Sequence, residues 1–102
     1  MSAQPEKVQP ESLERDPVVT KFRDEIGDLD RQLVALVNKR LRVVAALRSY
    51  KEANGIPFFD PAREEWMLRY LTRANTGPLS SDGLAELYAH VLELTKREIS
   101  AE

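Results

Sequence analysis

Residues 17–53 read PVVTKFRDEIGDLDRQLVALVNKRLRVVAALRSYKEA, with apolar side chains recurring every three to four positions. In a seven-residue frame, Val19, Ile26, Leu33, Arg40 and Leu47 fall at one seam position, and Phe22, Leu29, Leu36, Val43 and Tyr50 at the other. This spacing predicts one long amphipathic helix. Every member of the seam is apolar except Arg40. An unpaired guanidinium inside a helix bundle is costly, so a cation there calls for an anion, either a protein carboxylate or a bound ligand. A lone polar residue in such a seam also serves to fix register or oligomeric state, and the seam alone leaves both uses open.

Working outward, Asp16 and Pro17 form a cap and first-turn pair that starts this helix. Asn54-Gly55 supplies a left-handed stop, and Pro57 forbids continuation. Asp60-Pro61 repeats the cap-and-proline pattern, with Glu64 and Glu65 suited to the positive end of a second helix running to about Ala74. Asn75-Thr76-Gly77-Pro78 reads as a turn, after which Ser80 or Ser81 with Asp82 opens a third helix lasting to about Ser100. Nothing reads as a strand pair. The expected fold is all-α with three helices, one long and two shorter. Residues 1–16 carry Pro5 and Pro10 among polar residues, so they are expected to form a flexible tail ahead of a helical domain over 17–102.

A chain of 102 residues suits one domain with a modest core. Its formal net charge of -2, with acids and bases interspersed, argues against a nucleic-acid surface. The absence of Cys excludes thiol nucleophiles, disulfides and thiolate metal sites, and a single His, His90, disfavours a histidine metal site or triad. No apolar run approaches the roughly 20 residues that span a bilayer, and no basic-then-apolar signal opens the chain. A soluble, cytoplasmic protein without a metal or other cofactor is expected.

The long helix, about 36 residues at ~1.5 Å each, is roughly 54 Å long. A compact chain of this size has a radius of gyration of only about 13 Å, so two shorter helices cannot cover such a rod. Because the seam runs its whole length, a second copy of the same helix is the economical cover, and an intertwined two-fold dimer is expected. A break near Gly27, Asn38 or Arg42 is the alternative. No proline lies between Pro17 and Pro57, and Gly27 costs only about 1 kcal/mol, which favours the unbroken rod.

Lys51 follows Arg40 by about three turns, so the two share one side of the helix about 16 Å apart. Arg63 begins the apolar stripe that continues through Met67 and Tyr70. On the third helix Leu84, Leu87, Tyr88, Val91 and Leu94 form the expected buried stripe, which Thr95 extends with a hydroxyl. Singly, each polar group is an ordinary surface or core residue. Together, Arg, Arg and Lys make a set suited to binding a small polyanion and stabilising negative charge that develops during a rearrangement.

The run Phe22 to Arg40, with Ile26, Leu29-Asp30, Leu33 and Leu36, followed by Lys51 and by Phe59-Asp60-Pro61-Ala62-Arg63-Glu64-Glu65, resembles the all-helical AroQ-class chorismate mutases. The resemblance spans about residues 19–100. It implies conversion of chorismate to prephenate, without a cofactor, in an intertwined dimer of three-helix chains that forms a six-helix bundle. It further implies that Arg40 and Arg63 bind the substrate carboxylate region, that Lys51 donates to the ether oxygen, and that Arg23 crosses into the partner's site. A cis role for Arg23 is unsuited to one small ligand, since it precedes Lys51 by about 42 Å of unbroken helix. By the same resemblance Glu64 accepts from the substrate hydroxyl, Asp60 lies at a pocket position, and Thr95 sits near a carboxylate.

One position departs from the family pattern. Members usually carry Gln or Glu one turn after the hydroxyl residue, where this chain has Ile99, and Glu98 beside it is the candidate stand-in. Two other uses of the same fold stay open. One is an enzyme acting on a related compound, such as an amino-deoxychorismate mutase or an isochorismate-pyruvate lyase. The other is a silent helical dimer that binds a pathway metabolite or docks on another aromatic-pathway enzyme, with Phe58, Phe59 and Trp66 as aromatic surface.

Overall fold

Asp16 starts the first helix by accepting hydrogen bonds at its carboxylate from the backbone N–H groups of Val18 (2.8 Å) and Val19 (3.4 Å), while Pro17 occupies the first turn. Helix α1 then runs unbroken over Pro17–Ala53. Its end is set by Gly55 at φ 67° and by the Ile56 N–H, which reaches back 2.9 Å to the Lys51 carbonyl, the long-range bond of a glycine-terminated helix. Asp60 caps the second helix, α2, Pro61–Ala74, by accepting from the Arg63 N–H at 3.1 Å, with Pro61 at its start. Asn75 closes α2 through its N–H to Leu71 and then steers the turn, donating from Nδ2 to the Leu79 carbonyl at 2.8 Å. Of the two serines, Ser80 is the cap of α3, Ser81–Ser100, since its Oγ accepts the Gly83 N–H at 2.9 Å.

These elements come from a computed structural model, which describes residues 16–100. The tail expected ahead of Asp16 lies outside the described residues, as do Ala101 and Glu102. Among the described residues there are three helices and no strand, as expected. None of these helices is long and apolar enough to cross a membrane.

The chain divides into two units, Met1–Val37 and Asn38–Glu102. In the first, the seam of α1 is open to solvent, with Phe22, Ile26, Leu29, Leu33 and Leu36 each 57–62% exposed. In the second, α2 packs on α3. The C-terminal part of α1 is tied to α3 by long side chains: Arg40 Nη1 donates to Thr95 Oγ1 at 2.5 Å, and Arg48 Nη1 donates to the Ile99 carbonyl. The second contact satisfies a helix-end carbonyl with a cation, the favourable sense for the helix dipole. Among the described residues only Leu84, Thr95 and Ile99 are buried.

Two of the expected inward positions differ. Leu87 is 50% and Tyr70 52% exposed. On α2 the less exposed side is formed by Glu64, Met67, Leu68 and Leu71, which obeys the helical repeat from Glu64 rather than from Arg63. Tyr70 instead stacks on Trp66, one turn earlier, with ring centroids 5.4 Å apart.

The two glycines of α1 and its cap predict opposite effects of one substitution. Gly55 has open space around it, so Gly55→Ala is penalised only by its positive φ, by about 1 kcal/mol or more. Gly27 lies mid-helix with nothing within 4 Å of an added Cβ, so Gly27→Ala stabilises by about 0.5–1 kcal/mol. Thermal melts at one fixed protein concentration should move down for Gly55→Ala and up for Gly27→Ala, each by several degrees. Shifts of the same sign would contradict these backbone assignments.

Candidate active site

Four residues on one face of α1, Arg40, Val44, Leu47 and Lys51, line a cavity of about 590 Å³. Their steps of four, three and four residues are the helical repeat, so a single stripe delivers a cation at each end and an apolar wall between. The opposite walls follow the same rule. Arg63, Glu64, Met67 and Leu71 come from α2, and Tyr88, Leu92, Thr95 and Lys96 from α3. Phe58, Phe59 and Asp60, from the segment joining α1 to α2, complete the lining. All of these residues belong to the second unit, and the volume lies in the range of pockets for small metabolites.

The position of each charged group has a local cause. Arg40 is half-buried and bonded to the Thr95 hydroxyl, which itself donates to the Val91 carbonyl one turn back at 2.7 Å. That back-bond points the hydroxyl's lone pairs at the guanidinium. Lys51 Nζ donates to the Phe58 carbonyl at 3.3 Å and lies 5.9 Å from the Phe58 ring centroid. The Arg63 guanidinium rests 5.1 Å from the Trp66 ring centroid. Asp60 is engaged in capping α2. Among the described residues, neither Arg40, Lys51 nor Arg63 forms an ion pair with a carboxylate. The Glu64 carboxylate pairs with Lys96.

Six of the sequence-derived residues therefore meet in one cavity: Arg40, Lys51, Asp60, Arg63, Glu64 and Thr95. Arg23 and Glu98 are not part of the lining. Arg23 belongs to the first unit, and Glu98 is exposed on α3. Ile99 is buried and faces a smaller cavity of about 330 Å³ with Ala45, Arg48, Ser49 and Glu52. The α3 wall of the main cavity is the stripe Tyr88, Leu92, Thr95 and Lys96, and Glu98 falls two residues, about 200°, beyond its last member. Lys96 lines the cavity but is not singled out in the sequence, although its spacing of four from Leu92 and eight from Tyr88 puts it on that stripe. Leu92 is also missing from the expected stripe, which runs through Leu87, Val91 and Leu94 instead.

Chemically, the lining sets four cations against two carboxylates, leaving two positive charges around apolar walls. That balance matches a small dianion. The aromatic and aliphatic walls, of which Leu47 and Phe59 stay 46% and 58% exposed, lower the polarity around each charge contact. Among the described residues there is no group of three or more His, Cys, Asp or Glu able to hold a metal ion.

Comparison with known proteins agrees with this geometry. Residues 22–99 match the family described as chorismate mutase type II. Over 76 residues the chain is 31% identical to a bifunctional chorismate mutase/prephenate dehydratase of Stutzerimonas stutzeri, an overlap of 70% of this chain and 21% of that protein. It is 43% identical over 48 residues to the T-protein of Haemophilus influenzae, covering 47% of this chain and 13% of that one. The chain thus spans about a fifth or less of the length of these curated relatives. Two solved structures of chorismate mutase from Thermus thermophilus share the fold. Form I gives a TM-score of 0.73 at 30% identity, covering 76% of this chain and 96% of the other. Form II gives 0.77 at 27% identity, covering 82% and 96%. The matched span takes in every wall of the cavity, and the chain belongs to the type II chorismate mutases.

Proposed function

We propose that this chain converts chorismate to prephenate, as an isomerase of phenylalanine and tyrosine biosynthesis acting in the cytoplasm. The observation that carries the reading is the cavity in which Arg40, Lys51 and Arg63 have no carboxylate partner among the described residues. Three cations without an ion-pair partner among the described residues, in a partly apolar lining with two net positive charges, are held ready for a ligand that brings its own negative charge.

The substrate is a flexible dicarboxylate whose rearrangement breaks a carbon–oxygen bond as a carbon–carbon bond forms. Arginine forks grip carboxylates bidentately, so Arg40 and Arg63 hold the molecule in its compact reactive shape. Thr95, fixed by its bond to Val91, keeps Arg40 aimed into the cavity. As the ether bond stretches, charge builds on its oxygen. Lys51, a compact ammonium held by the Phe58 carbonyl, stabilises that charge more in the transition state than in the ground state. Glu64 accepts from the substrate hydroxyl, and Asp60 keeps Arg63 in register through the α2 cap. No covalent intermediate is required.

A two-fold dimer completes this reading. The exposed seam from Phe22 to Leu36 has the pattern of an interhelical interface, and a second copy of α1 matches it in length and spacing. Arg23, which stands outside the cavity of the described chain, would then serve the cavity of the other copy. Association with another aromatic-pathway enzyme is a further proposal, motivated by the bifunctional relatives.

Three outcomes are expected. Incubation with chorismate should yield prephenate, whereas pyruvate release or an amino product from a related substrate would redirect the assignment to another reaction. Lys51→Ala should reduce kcat by on the order of 10²–10³-fold with unchanged helicity, and near-normal turnover would remove Lys51 from the chemistry. Sedimentation should give about twice the 11.6 kDa chain mass, and Leu33→Asp should lower both the mass and the turnover. A fully active monomer would refute the dimer.

A further inference from the structure

Glu64 poses an electrostatic problem for a cavity built to hold a dianion. Its carboxylate lies half-buried in the lining, so, with the Asp60 carboxylate engaged at the α2 cap, an incoming ligand with two negative charges meets a further one at Glu64. Like charges at close range in a partly desolvated pocket repel strongly. Lys96 answers this from α3. Its Nζ stands 3.4 Å from Oε1 and 3.3 Å from Oε2 of Glu64, straddling both oxygens. A carboxylate offers about four lone-pair sites, so a cation seated between the oxygens leaves room for a hydroxyl donor on the other side.

The position of Lys96 is fixed a second time by an aromatic ring. Its Nζ is 5.8 Å from the Phe59 ring centroid, much as Lys51 is 5.9 Å from that of Phe58, and the two rings are themselves 5.3 Å apart. The two lysines nevertheless differ in one respect. Among the described residues Lys51 has no carboxylate partner and keeps its charge available, whereas the charge of Lys96 is committed to Glu64.

We propose that Lys96 is a positioning residue of the site: it neutralises and orients Glu64, allowing an acid that recognises the substrate hydroxyl to share a pocket with a dicarboxylate. This rests on the chorismate reading of the cavity given above. The pair is partly solvent-exposed and contributes little to folding, so its removal leaves the fold intact.

The test is a double-mutant cycle on prephenate formation. Lys96→Met should raise KM about tenfold, the size of one screened charge contact, with kcat within about threefold of the parent. Lys96→Arg should restore KM to within about threefold. In a Glu64→Gln background the same Lys96→Met change should alter KM less than about twofold, because the uncompensated charge is gone. An equal rise in both backgrounds would mean that Lys96 acts on the ligand directly and would overturn the inference. So would an unchanged KM for Lys96→Met. If those results came from protein that still makes prephenate, the assigned reaction would stand and only the role of Lys96 would fall. If the parent protein left chorismate untouched, both would fall.

Discussion

The hydrogen bond from Arg40 to Thr95 is the contact on which the rest of the site depends. It joins α1 to α3 across the cavity and holds a guanidinium in a seam that is otherwise apolar. A hydroxyl satisfies one N–H of that group but supplies no counter-charge, so the cation is oriented without being neutralised. A carboxylate at the same place would stabilise the empty protein and fill the position proposed for the ligand. The choice of threonine thus links packing directly to binding.

Around this contact the protein separates two uses of positive charge. Arg40, Lys51 and Arg63 are seated on a hydroxyl, a carbonyl and an aromatic ring, partners that fix direction and leave the charge unmatched. Lys96 and Arg48 pair with acids instead, at Glu64 and Glu52. The helices also do little to bury themselves: three side chains are buried among the described residues, while much of the α1 seam is more than half exposed. A chain with so small a core gains stability from whatever binds its folded form, whether a second copy or a ligand. Assembly and catalysis are coupled in the proposed dimer, because the surface that needs cover carries Arg23.

Much of this is legible in the sequence because caps and stops are local chemistry. Asp16-Pro17, Gly55, Asp60-Pro61 and the serine at the start of α3 set the helix bounds, and each requires only its immediate neighbours. Arg40, Lys51, Arg63 and Thr95 are readable as candidates from helical periodicity, whereas Asp60 and Glu64 enter the site, and each residue gains its particular role, only through the family pattern. Lys96 is hidden from such reading because its partner, Glu64, is 32 residues away on another helix, and a lysine beside a hydroxyl residue looks like ordinary solvated surface. Leu87 and Tyr70 mislead for a related reason: an apolar stripe specifies a face but not which edge of it the neighbouring helix covers. The cavity lining also omits Glu98, since the helical phase of α3 is set by Thr95 and Lys96.

Replacing Arg40 by methionine separates binding from folding most directly. If its charge is retained for a dianionic ligand, Arg40→Met should melt at or above the temperature of the parent, since an apolar residue of similar length suits the seam, while chorismate turnover falls by at least about a hundredfold. A variant that is clearly less stable yet still turns over chorismate normally would contradict the account, because Arg40 would then be a structural cation with no part in binding.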